Sequence, residues 1–313
     1  MVLGVSELKN KIVLLLISKA QLLNPVDIFL LVQQTCDHPL NARLMESYKI
    51  VWIPLPSSDT WTEAEESSFN FLSDSLPWHA VRKPRLLNPG VVKYIREQWN
   101  YKDDEPIMVA LDSKGKVTNG NALDMIKIWG AQAYPFSTSK EAELWQDQNL
   151  TMQLLLDDIN PLLAYWVGQG KNICLYGSEN LVWIQQFNDK ITEVKLTGLQ
   201  LETIYVGNSQ LGEHVKQIMA RSGETSLIDP LSFTNVQFFW LRLESMRRSK
   251  LRLGKTPRSD HVLAELSALL EVDDRDEGWA VIGSGGSSDI IRLQGIQGVA
   301  LTLTFFPQEK MKD

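Results

Sequence analysis

The run Ile12–Ile17 (IVLLLI), flanked by Lys11 and Ser18, constrains the fold more than any other stretch. Six apolar residues without alternation fit a strand buried on both faces of a mostly parallel sheet, which has no solvent side to alternate toward. No apolar run in the sequence is longer, and six residues fall far short of the roughly 20 that cross a bilayer, so no transmembrane helix is expected. It falls short of a secretory apolar core as well, and Glu7 stands where a basic flank would be, although Ser18-Lys19-Ala20 loosely mimics a cleavage site. The chain reads as cytosolic.

Segments on either side of that strand build an α/β pattern. Asn24 as N-cap, Pro25 at the first helical position and Asp27 in the first turn open a helix through Phe29, Leu30 and Val32 that stops before Pro39. Tyr48–Pro54 (YKIVWIP) is a second strand, and Thr62 with Glu65 forms a capping box for a helix carrying Phe69 and Leu72 on one face. Asn88-Pro89 begins another helix, expected to turn Val91, Val92, Ile95 and Trp99 inward. Pro106–Leu111 is a third strand, joined by the turn Asp112–Gly115 to the short strand Lys116–Thr118, and a helix from Asn121 to Trp129 follows. Parallel strands joined by helices, then a hairpin, then a helix is the thioredoxin-like order.

A second α/β unit begins near residue 150. Thr151–Val167 is helical with a break at Pro161, and Lys171–Tyr176 and Leu199–Val206 are strands, each followed by a helix, Glu179–Lys190 and Gln210–Arg221. A long helix, Phe233–Leu251, carries Phe238, Phe239, Trp240 and Met246, and Trp279–Ile282 is a last buried strand. Gly283–Ser288 reads as a loop and Val299–Phe306 as a terminal strand. The expected division is therefore 1–150, a degenerate thioredoxin-like domain, and 151–313, a C-terminal α/β domain with long helices and an uncertain tail after 282. A length of 313 residues allows two domains at roughly 150 residues each.

Composition excludes whole classes of function. With 44% hydrophobic and 22% charged residues the chain is neither disordered nor fibrous. The 31 Lys and Arg against 38 Asp and Glu leave a net charge of −7, which argues against binding nucleic acid or an anionic membrane. Cys36 and Cys174, with no CxxC spacing, cannot form a disulfide framework, and both are expected to be buried thiols.

Catalytic signatures fail one by one. Dithiol chemistry needs a cysteine at the first helix N-terminus, where the helix dipole lowers its pKa, and Lys19–Pro25 contains none. Pro106 stands where thioredoxin-like domains keep a cis-proline, with a trans strand-edge proline as the alternative. Gly254-Lys255-Thr256 resembles the end of a P-loop but follows a helix and precedes Pro257. Gly283, Gly285 and Gly286 lack the third glycine of a dinucleotide fingerprint, Ser288 standing in its place. An EF-hand count through Asp273–Gly278 puts Arg275 third and Ser284 twelfth, so two ligands fail. His38, His79, His214 and His261 form no HxxxH pair, and no GxSxG elbow exists. No catalytic, cofactor or metal residue is assigned. Arg242, Arg247, Arg248, Lys250, Arg252, Lys255 and Arg258 make one basic strip against Glu244, read as a solvated face or as a docking strip for an acidic surface of another copy, the run 271–277 being acidic. The ten tryptophans are expected mostly in cores or interfaces.

Several strings in register resemble the plant sieve element occlusion proteins. They are Tyr48–Pro54, Leu76-Pro77-Trp78, Asn121–Ile126 with Trp129-Gly130, and Tyr134-Pro135-Phe136. Gly170–Ile173, Leu175-Tyr176-Gly177, Trp183-Ile184, Tyr205-Val206-Gly207, Phe239–Met246 and Gly278–Val281 continue the likeness in order, over about residues 9 to 282. The resemblance implies a non-enzymatic structural phloem protein that self-assembles into filaments or bodies in sieve elements and helps plug them after wounding. It implies self-association or related members as partners, no nucleic acid, no membrane insertion and no cofactor. Some legume relatives form bodies that swell with calcium, but the loop count gives this chain no recognisable site. The family usually has a helical N-terminal domain and a cysteine-rich end, so the chain resembles a truncated member. Leu76-Pro77-Trp78 and Asp112–Lys116 also resemble nucleoredoxins. The alternative reading is a nucleoredoxin-like protein without its dithiol, acting as a peptide or ligand module, its cleft near Pro106 either open or filled by Trp78.

Overall fold

The computed structural model describes residues 5–20, 25–37, 44, 46–57, 61–102, 105–208, 213–222, 231–271, 278–285, 287 and 290–295. It divides into two compact units, Met1–Asp147 and Gln148–Asp313.

Unit 1 is built on β1 (Ile12–Lys19), which is buried at consecutive positions on both faces, as an unalternating apolar run requires. Helix α1 (Pro25–Val32) returns the chain to β2 (Tyr48–Leu55), parallel to β1 in the register Ile12 with Tyr48. Asn24 lies outside the described residues, so its capping role does too. Thr62 and Glu65 close the expected capping box on α2 (Glu63–Ser75), which buries Phe69. A two-residue edge strand, β3 (His79–Ala80), pairs parallel with β2, and a 3-10 turn at Pro84–Leu86 leads into α3 (Pro89–Gln98), capped by Asn88. Ile95 is the buried anchor of α3, whereas Val91, one turn earlier in the first turn of the helix, is 45% exposed, contrary to its expected inward direction.

β4 (Ile107–Leu111) runs antiparallel to β1 and pairs with β5 (Val117–Asn119), giving the order β3-β2-β1-β4-β5. This connectivity is the thioredoxin-like one the sequence predicts. Helix α4 (Leu123–Trp129) is buried on every side, not on one face only, and its Lys127 Nζ pairs with Asp27 Oδ1 of α1. Helix α5 (Thr138–Trp145), absent from the sequence reading, stacks Trp145 edge-on against Trp129 at 4.7 Å.

Unit 2 repeats the strand scheme. After α6 (Met152–Leu156) and α7 (Pro161–Gly168), separated at the expected break by an Asn160 cap, β6 (Asn172–Gly177) leads through α8 (Leu181–Leu196) to parallel β7 (Leu201–Tyr205). Helices α9 (Glu213–Ser222), α10 (Phe233–Arg252) and α11 (His261–Leu270) precede β8 (Trp279–Ser284), which is antiparallel to β6 and to β9 (Ile290–Gln294). The order is β7-β6-β8-β9. β8 continues through Gly283 and Ser284, which were expected to lie in a loop, and α11 and β9 were not foreseen. Val299–Phe306 lies outside the described residues. The core of this unit holds an aromatic row in which Trp183 stacks on Phe187 at 5.1 Å and Phe187 on Tyr176 at 4.4 Å.

Candidate functional site

In an open α/β sheet, chemistry gathers beyond the carboxyl ends of the parallel strands. In unit 1 that end follows Lys19 and Leu55, and the chain there carries no cysteine. Cys36 sits at the other end of α1, in the π-helical turn Gln33–Asp37, and is exposed, contrary to the expected burial. Its Sγ lies 3.6 Å from Thr35 Oγ1. Cys174 in β6 is fully buried, and burial raises its thiol pKa far above the ordinary value, so it is inert as a nucleophile. The thiols occupy different units, and neither has a second thiol beside it.

Trp78 does not reach the cleft beside Pro106. Its indole donates to Thr35 Oγ1 at 3.1 Å, and Tyr48 at the start of β2 donates to the Thr35 carbonyl at 3.0 Å. Pro106 adjoins Ile107, which pairs with Ile17 near the opposite end of β1. Trp78 therefore closes the far end of the sheet, where burial, aided by Cys36, pushes the Tyr48 hydroxyl up to about 12 and keeps it protonated at neutral pH. The cis peptide bond of the described chain is Tyr134–Pro135, not the bond before Pro106.

Gly285 serves close packing and Gly254 a helix stop. A Cβ on Gly285 would stand 2.2 Å from the Val167 carbonyl oxygen, so the strand end passes too close to α7 for a side chain. Gly254 closes α10 at φ +77° and Thr256 bonds Ser259, a helix stop without a phosphate cradle. Among the described residues no group of three His, Cys, Asp or Glu side chains is placed to hold a metal ion. His79 lies in β3 and His261 opens α11 beside Glu265 and Arg292, while His38 and residues 272–277 lie outside the described part.

Part of the basic strip is used inside unit 2. Arg242 is 1% exposed, and burial lowers its pKa against the opposing pull of Asp157 and Asp158. Lys250 is buried and pairs with Asp260 at 2.8 Å, and Arg247 grips Glu244 through two bonds of 3.0 and 2.8 Å. The solvated-face reading holds for Arg252, Lys255 and Arg258, which are exposed, and fails for Arg242 and Lys250, which are buried where Asp157, Asp158 and the α11 N-cap Asp260 offset their charge.

A cleft that the sequence did not reveal opens at the carboxyl ends of β2 and β3. It encloses 430 Å³ and is lined by Pro56, just after β2, by Trp61, by Pro84, Arg85 and Leu87 after β3, and by the α3 residues Pro89, Val92, Lys93, Arg96 and Glu97. Arg96 donates to the Pro56 carbonyl at 3.3 Å, fixing the loop after β2 to α3. Periodicity could not find it, because its residues come from separate loops and one helix face.

Fold and site together define an α/β protein with a thioredoxin-like sheet and no dithiol. Residues 139–312, more than half of the chain, match the family described as Sieve element occlusion C-terminus, and the chain belongs to the sieve element occlusion family. It is 40% identical over 293 residues to Protein SIEVE ELEMENT OCCLUSION C of Arabidopsis thaliana, covering 92% of this chain and 42% of that protein. Protein SIEVE ELEMENT OCCLUSION A of the same plant is 33% identical over 305 residues, 93% of this chain and 36% of that one. The chain thus spans less than half the length of these curated relatives. A cysteine-to-alanine mutant of tryparedoxin-I aligns over 43% of this chain and 86% of its own at 15% identity, with a TM-score of 0.33.

Proposed function

We propose that this chain is a non-enzymatic structural protein of phloem sieve elements, which self-associates, alone or with family members, into filaments or bodies that help occlude the tube after wounding. Family membership carries the reading. Two features of the chain support it: the dithiol position is empty of cysteine, and the one exposed thiol, Cys36, lies at the wrong end of α1 for dipole activation. No helix among the described residues is long and apolar enough to cross a membrane, which accords with a sieve-element protein that acts outside the bilayer. The proposal assigns no catalytic, cofactor or metal residue and treats 1–150 and 151–313 as separately folding domains, which limited proteolysis near residue 150 tests. The decisive experiment is light scattering of the purified chain with electron microscopy of the same sample. Filaments or large ordered oligomers are expected; a monomer at every concentration and ionic strength overturns the reading for this chain.

A further inference from the structure

We infer that the outer edge of β9 is the docking site of this chain's own residues 299–306, which add to it as an antiparallel strand and seal the sheet of unit 2. The backbone of β9 shows what is left open. Gly295 donates its N–H to the Gly278 carbonyl at 2.8 Å, in line with the register that sets Trp279 against Gln294. In an antiparallel pair both backbone groups of a residue point to one side and successive residues alternate, so Leu293 and Ile291 also face β8, while Gln294, Arg292 and Ile290 turn their N–H and C=O groups away from it. The sheet order ends at β9, and among the described residues no strand takes up those groups. The edge is also poorly defended: IIRLQ carries no proline and one charge, Arg292, and its Ile291 is 39% exposed, whereas sheets ordinarily refuse another chain with charges, prolines or bulges.

The two faces of β9 differ, and the difference selects the occupant. Leu293 packs into the core with Trp183 and Phe187 of α8, whereas Arg292 turns to α11, its Nε 3.8 Å from Glu265. A groove of 570 Å³ borders Ile290, Ile291 and Arg292 on that side, with Leu150, His261 and Glu265 across it. The chain itself supplies a strand that fits. Gly295, at φ +70°, turns the backbone where β9 ends, and Gly295–Gly298 is a link of four residues, a length that hairpins use. Beyond it VALTLTFF alternates Val299, Leu301, Leu303 and Phe305 with Ala300, Thr302 and Thr304, the pattern of a strand with one apolar face. The four-residue link sets Val299 opposite Gln294, Leu301 opposite Arg292 and Leu303 opposite Ile290, so the apolar set falls on the α11 side over the groove, and the Leu301 N–H meets the open carbonyl of Arg292. So short a tether gives the segment an effective concentration that a second copy in solution does not match.

The test is hydrogen exchange of the full chain, resolved to single amides, in two proline variants that differ by one position. Leu301→Pro removes an N–H that the pairing needs, whereas Thr302→Pro removes one that points away from β9, where an outermost strand tolerates proline. The expected result is that the Arg292 and Gln294 amides exchange at least about tenfold faster in Leu301→Pro and at the parent rate in Thr302→Pro. The Ile291 and Leu293 amides, which face β8, stay protected in both and show that unit 2 remains folded. Light scattering is expected to rise in Leu301→Pro alone, because its uncovered edge pairs with other chains. Equal exchange of Arg292 and Gln294 in the two variants overturns the docking register. Protection that grows with protein concentration overturns the own-chain assignment and gives the edge to a second copy. Unchanged scattering in Leu301→Pro overturns the sealing role. The assembly reading above stands or falls separately, since it is read from the parent chain.

Discussion

Both units place a first strand between a parallel partner and an antiparallel hairpin, β2-β1-β4-β5 in one and β7-β6-β8-β9 in the other. The cores behind these matching sheets differ. Unit 1 spends the link between β2 and β4 on α2, the edge strand β3 and α3, and it buries its Lys127 against Asp27 of the first helix. Unit 2 spends the link between β7 and β8 on α9, α10 and α11, and it buries Arg242 and Lys250 on the 20-residue α10. The first strands also end differently. β1 ends in Lys19, while β6 ends in Gly177, where a Cβ would stand 1.8 Å from the Gly207 carbonyl oxygen. Strand order is thus set by the shared alternation of strands and helices, and the buried charges are set by whichever helices the link supplies.

The comparison breaks first on large core residues. Trp52→Ala and Trp279→Ala, each removing a side chain 1% exposed, should cost about 3–5 kcal/mol in their own units. Calorimetry should show each change lowering a different transition, and a single transition lowered equally by both would refute independent folding. Next in size is Gly177→Ala, which forces a methyl into a backbone carbonyl and should cost about 1–3 kcal/mol by denaturant unfolding. Lys19→Ala at the matching position of unit 1 should stay within about 0.5 kcal/mol.

Asp260 offers a test by acid. Burial would raise its pKa, but the bond from Lys250 and the Leu263 N–H outweigh it and hold the carboxyl below its ordinary 3.8. A pKa depressed by folding stabilises the folded chain above 3.8, and that contribution disappears as the pH falls below it. Asp260→Asn should therefore cost about 1.5–3 kcal/mol at pH 7 and flatten the acid limb of the unit 2 transition. The smallest effect concerns the thiols. An uncharged alkylating reagent should label Cys36 in the native protein with under about 0.5 kcal/mol of destabilisation, while Cys174 should react only after unfolding, as mass spectrometry would show.

What the sequence disclosed tracks the physics of each signal. Ile12–Ile17 announced a two-sided strand because nothing but burial explains six apolar residues in a row, and Thr62 with Glu65 announced a helix start because the motif is local. Helix α11 and strand β9 escaped because their amphipathic patterns are short and lie near acidic and glycine-rich stretches. The burial of Lys250 within the basic strip escaped because charge in a sequence does not show whether an acid waits nearby in the fold, as Asp260 at the N-cap of α11 does for Lys250. The cleft escaped for a related reason: Pro56, Arg85 and Arg96 are far apart in sequence and meet through the loops that follow parallel strands.

The aromatic row of unit 2 has an optical consequence. Rings stacked at 4.4 and 5.1 Å, ending in the edge-on pair of Tyr176 and Tyr205, couple their electronic transitions and hand excitation from tyrosine to Trp183. In unit 1 the indoles of Trp129 and Trp145 meet edge-on at 4.7 Å and form a coupled pair of a different kind. The chain thus carries a separate chromophore in each half, and circular dichroism between 260 and 300 nm should report the packing of each unit without any added label.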